Sequence, residues 1–227
     1  MPGRFTLTTD AAALRAAFPW LQVPEQLAPR YNIAPSNPVA VVTNAAPTQL
    51  DFMTWGLFPS PETGVRMTKP LINARSETIT RTASFRNSFR RRRCLVLADG
   101  VFEWVKERGK RQKTPYYIYL KDHRPFAYAG VWESWTSLDG SQVVSCAIIT
   151  CEPNEMVEKI HHRMGVILHE EDYEQWLATD EKDARRLLPL LGPYPAEDMA
   201  SHQVSTLVTD KRNDTPECIK AVEGISK

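Results

Sequence analysis

CLVLADGVFEW, residues 94–104, is the most concentrated apolar run near the middle of this chain. Its Leu, Val, Phe and Trp content predicts buried β structure. Within it, Asp99-Gly100 signals a two-residue hairpin turn by local rules, and a bulged continuous strand is the competing reading. Glu103 sits between Phe102 and Trp104. On a buried strand such a carboxylate loses hydration and needs either partners or a raised pKa, which is the condition of a working group. If the side chain alternates outward, it is an ordinary surface carboxylate. Spacing alone leaves both open.

Outward from this stretch, strands dominate. Upstream, Arg4–Leu7 reads as extended. Thr9 or Asp10 can cap a helix through AAALRAAF that Pro19 terminates. VAVVT and QLDFMTWGL read as two strands with a turn at Ala46-Pro47. A proline-containing connection, 58–70, leads to LINARSET, and SFRNSFRRR reads as a short helix. Downstream, PYYIYL, FAYAGVWESW and VVSCAIITC are strands, the last two joined at Asp139-Gly140. Pro153-Asn154-Glu155 opens a helix EMVEKIHHR; after it come a strand GVIL, helices EDYEQWLAT and DARRLLPLL, and a strand HQVSTLV. The class is α+β with mainly antiparallel pairing, in one domain spanning 1–227.

The 227 residues carry a formal net charge of +1, so bulk attraction to a polyanion is absent and only a local patch could hold one. Arg81, Arg86 and Arg90 to Arg93 form such a patch in the sequence. Cys94, Cys146, Cys151 and Cys218 show no CxxC spacing and read as buried thiols. No membrane-length apolar run and no signal peptide are visible, so the expected compartment is the cytoplasm. No HExxH or Cys/His cluster is present, so neither a metal nor another cofactor is expected. His161 and His162 are a weak acid/base signal. Asn73 and Arg75 alternate along one strand and share a face, which suits an amide and a guanidinium addressing one ligand.

MPGRF (1–5), RYNIAPS (30–36), WGL (55–57), LINARSET (71–78), SFR (84–86), CLVLADGVFEW, IHHRMGVIL (160–168) and HQVSTLV (202–208) occur in the order and spacing of one family. Over nearly its whole length the chain resembles the SOS-response-associated peptidase (SRAP) family of abasic-site processing proteins. The resemblance implies a protein that binds single-stranded DNA at abasic sites, and a monomer is expected. It also implies a covalent cross-link through an N-terminal Cys exposed by removal of the initiator Met, and the family carries a peptidase label for that processing. Carried over by position, Asn73 would hold the N-terminal residue, Glu103 would handle the amine proton, and His161 would act as general acid/base. Arg4, Arg75, Ser84, Arg86 and Arg163 would contact DNA.

Departures from the family pattern accompany the match. Pro2 stands where the family has its Cys, so the catalytic position carries no thiol. The segment SPETGVRMTK lacks the Trp that many relatives carry after the WG motif. His162 and Gly165 stand where relatives more often have Asp and Pro. The leading reading is abasic-site processing with an altered or disabled nucleophile; a non-covalent binder of damaged single-stranded DNA and a peptide hydrolase are the alternatives.

Overall fold

The computed structural model describes residues 2–60, 64, 69–107, 109, 111–137 and 139–222. The strands in chain order are β1 (Phe5–Leu7), β2 (Arg30–Ile33), β3 (Pro38–Thr43), β4 (Ala46–Trp55), β5 (Asn73–Arg75) and β6 (Arg93–Ala98). They continue with β7 (Gly100–Val105), β8 (Thr114–Leu120), β9 (Phe126–Thr136), β10 (Gln142–Cys151), β11 (Met164–Gly165) and β12 (Met199–Gln203). Among the described residues, short α-helices α1 (Ala11–Ala17), α2 (Arg86–Arg91), α3 (Glu155–Glu158) and α4 (Tyr173–Ala178) lie between them. The architecture is α+β with mainly antiparallel pairing, as the strand-rich sequence predicts.

The strands form two sheets. One is antiparallel throughout, in the order β12-β8-β7-β1-β2. In the other, β4, β3, β6, β9 and β10 pair successively, and β10 returns to β4 through a short parallel contact at Ser145–Thr54 and Cys146–Trp55. The path therefore closes on itself and leaves few free edges. Strand β10 also carries β5 in parallel and β11 antiparallel at its far end.

Asp99-Gly100 is neither a hairpin nor a pairing between its flanks. Strands β6 and β7 belong to different sheets, and the chain crosses between them at Asp99. Gly100 lacks the positive φ that a hairpin turn of this type demands. It is glycine because a Cβ there would lie 2.2 Å from the Tyr117 ring. Asp99 clasps the first strand: its carboxylate accepts from the hydroxyls of Thr6, Thr8 and Thr9 and from the amides of Thr8 and Thr9.

Alternation along β7 and β8 sorts side chains to two cores. Val101 and Ile118 face the large core between the sheets, with Phe5, Trp55 and Tyr128, whereas Phe102 and Tyr117 face a smaller cluster with Val204, Val208 and Cys218. Glu103 has the parity of Val101 and so points between the sheets.

Several element boundaries differ from the sequence expectation. The β3–β4 turn lies at Asn44-Ala45, and Pro47 sits exposed inside β4. Helix α3, capped by Asn154 accepting from Val157 N at 2.9 Å, ends at Glu158, which leaves His161 to Arg163 in irregular chain. The last strand covers 199–203, and HQVSTLV ends in a 3-10 turn over 206–209. Arg93, counted with the surface patch, is buried; its guanidinium donates to the carbonyls of Trp176 (2.7 Å), Phe89, Arg90 and Thr179. All four cysteines are buried free thiols. The stretch that lacks the aromatic lies largely outside the described residues.

Candidate functional site

Residue 2 enters the structure just ahead of β1, which is held between β2 and β7. Pro2 is buried, and its carbonyl oxygen accepts a hydrogen bond from Asn73 Nδ2 at 2.8 Å. Asn73 opens β5, whose parallel pairing with β10 places it beside Ile148. Its other amide atom, Oδ1, is buried and without a hydrogen-bond partner among the described residues.

Glu103 is 7% exposed, so the outward-facing alternative falls. Burial pushes its carboxyl up to about 7. Near neutral pH it is thus divided between acid and base, the property of a proton acceptor that can also return its proton. His161 lies after α3, its Nδ1 accepting from Arg163 N–H at 3.0 Å, its ring stacked on His162 at 4.3 Å. Burial lowers it to about 4, against the Arg163 backbone hydrogen bond that raises it, so the imidazole is neutral at physiological pH.

Pro2, Glu103, Tyr128, Arg163 and Gly165 line one cavity of about 20 Å³, with room for roughly one water. Three of the sequence candidates, Pro2, Glu103 and Arg163, thus converge on it, and Asn73 joins through Pro2. The other arginines divide. Arg163 forks onto Glu77 (2.5 and 3.0 Å) and donates to Thr150 O at 2.7 Å, while its Nε is buried without a partner among the described residues. That bond holds the Glu77 carboxyl below its usual range. Arg4 donates to Asn32 Oδ1 (2.8 Å) and Val208 O (2.9 Å) and lies over Trp104 at 5.8 Å. Arg75 and Arg86 are exposed and form no ion pair among the described residues, and Ser84 is half-buried just before α2.

Sequence reasoning missed Tyr128 and Glu77. FAYAGVW announces only a strand, and Glu77 finds its guanidinium 86 positions away. Among the described residues no group of three His, Cys, Asp or Glu could hold a metal, and no helix is long and apolar enough to cross a membrane.

The family model described as SOS response associated peptidase (SRAP) matches residues 1–211. This chain belongs to the SRAP family. "Abasic site processing protein YoqW" of Bacillus subtilis is 38% identical over 224 residues, covering 97% of this chain and all of the relative. "Abasic site processing protein HMCES" of Gallus gallus is 34% identical, covering all of this chain and 80% of its own. A crystal structure of a protein from Bacteroides thetaiotaomicron superposes with a TM-score of 0.81 at 28% identity, over 96% of this chain and 99% of that one. Within the SRAP family, the position at the head of β1 is thus occupied here by a buried proline.

Proposed function

We propose that this SRAP protein binds single-stranded DNA at abasic sites and, once Met1 is removed, attacks the ring-opened sugar through the secondary amine of Pro2. The observation that carries the reading is the burial of Pro2 in one cavity with Glu103, its carbonyl anchored by Asn73. With Met1 attached, the Pro2 nitrogen is a tertiary amide and is not nucleophilic. After removal, Glu103 accepts a proton from the Pro2 ammonium, the freed lone pair attacks the aldehyde carbon, the remaining N–H proton passes to the new oxygen, and Glu103 returns its proton to that hydroxyl, which leaves as water to give a charged iminium. His161, neutral in this setting, would serve ring opening. No thiol is available to close a thiazolidine, so water re-adds and releases the protein. Loss of a proton from the sugar carbon next to the iminium, with departure of the 3′ phosphate, would cleave the strand.

Arg75 and Arg86 are available to take flanking phosphates; a guanidinium fork suits them. The missing thiol also favours a second reading, a binder of damaged single strands without chemistry. Met-free protein incubated with an abasic oligonucleotide, with and without borohydride, separates the two on a denaturing gel. An adduct seen only with reductant is the expected result. None with reductant leaves the binder, and an adduct that survives without it removes the reversible iminium.

A further inference from the structure

Gly165 lies in β11, a strand where glycine contributes no packing of its own. Its φ is not positive, so backbone conformation does not demand it. Space does. A Cβ at 165 would come 2.4 Å from Tyr128 Cε1 and 3.0 Å from Pro2 Cγ. Two rings, one from the head of β1 and one from β9, therefore converge on the spot that a side chain would occupy. Val101, Ile118, Ile167 and Met199 complete an apolar wall around them, which accepts the methylenes of a pyrrolidine.

We propose that Gly165, together with Tyr128, is a positioning residue for position 2: the absent side chain makes the seat in which the proline ring is held. The seat rests on the reading of Pro2 as the reacting amine for its catalytic meaning, though not for its existence. A ring fixed by Tyr128 on one side and the β11 backbone on the other presents its nitrogen in one orientation, and orientation is a large share of what an intramolecular nucleophile gains.

Two measurements test this. The first is a melting cycle over Pro2→Ala and Gly165→Ala, made in a Tyr128→Val background so that the aromatic contact does not dominate or prevent folding. Gly165→Ala should lower the melting temperature by roughly 2–4 °C with Pro2 present and by less than about 1 °C with Ala at position 2. Equal shifts in both backgrounds would overturn the seat. The second uses Met-free Gly165→Ala in the same Tyr128→Val background, measured against Met-free Tyr128→Val alone: borohydride-trapped adduct should form at least about tenfold more slowly while affinity for the same oligonucleotide stays within about twofold. Unchanged trapping, or trapping and affinity falling together, would overturn the positioning role. If the parent protein traps nothing, the proposed chemistry falls on its own, and the melting cycle still decides whether the seat exists.

Discussion

Asn73 Nδ2 donates to the carbonyl oxygen of Pro2 across 2.8 Å, tying the head of the first strand to a strand 71 residues further on. Removing one such bond costs about 1 kcal/mol, close to a fivefold change. Asn73→Ala is therefore expected to cut the rate of borohydride trapping roughly five- to tenfold with little change in DNA affinity. Asn73→Asp should be worse, because it sets an acceptor against an acceptor. A trapping assay on both variants, with fluorescence anisotropy for binding, checks the order.

Glu103 should make the protein less stable as pH rises. Its folded pKa of about 7 lies above the ordinary 4.5, so between those values the folded state binds more protons than the unfolded one and stability falls; above about 7 the loss is complete. The size is on the order of 3 kcal/mol. Glu103→Gln should gain most of that at pH 8 in urea unfolding and nothing at pH 4.5, while trapping slows. The trapping rate of the parent should rise through pH 7. His161 acts in the opposite window: its lowered pKa removes stability as pH falls from 6.5 towards 4.

The salt dependence of binding to single-stranded DNA counts the arginines that reach phosphate. Each contact adds about 0.7 to the slope of log affinity against log salt, so Arg75 and Arg86 alone give roughly 1.4, and all four candidate arginines give roughly 3. Because Arg4 and Arg163 hold protein partners, the lower figure is expected. Arg86→Ala should halve it for every sequence tested. A flat response would remove the DNA reading.

Asp99→Ala removes the acceptor of the Thr6 hydroxyl in β1 and of the Thr8 and Thr9 hydroxyls and amides that follow it, and of these only Thr6 keeps another partner among the hydrogen bonds described, in Gly100 O and the Tyr117 hydroxyl. The expected loss is roughly 3–5 kcal/mol, read as a lower urea midpoint. Gly100→Ala should be comparably severe through Tyr117, and a Tyr117→Val change should recover part of it, whereas it should do nothing for Asp99→Ala.

What was legible in the sequence was what short-range chemistry decides. Asp10 caps α1 by accepting from Ala13 N, and Asp139-Gly140 lies in the β9–β10 turn with Gly140 at positive φ, both through interactions within a few residues. Asp99-Gly100 misleads because its turn signal is overridden by partners some 90 residues away in β1 and just after it. Arg4 and Arg163 look the same as Arg75 and Arg86 in a motif. Only the fold brings Asn32 and Val208 to the first and Glu77 to the second. The aromatic neighbours of Glu103 mark it in the sequence, but its inward direction follows from the parity of β7 against the two cores.

The place of β1 between β2 and β7 also has a timetable. Phe5 cannot meet Val101 until about a hundred residues have been made, which at roughly 5–20 residues per second takes on the order of 5–20 s. During that interval the head of the chain is open to an aminopeptidase; afterwards Pro2 is buried and anchored. Met1 should accordingly be released far faster from the urea-unfolded protein than from the folded one, as intact mass would record. Under the proposed reaction the Pro2 amine would be armed during synthesis, and a molecule that folds with its first residue still attached would stay inert until its first strand comes loose.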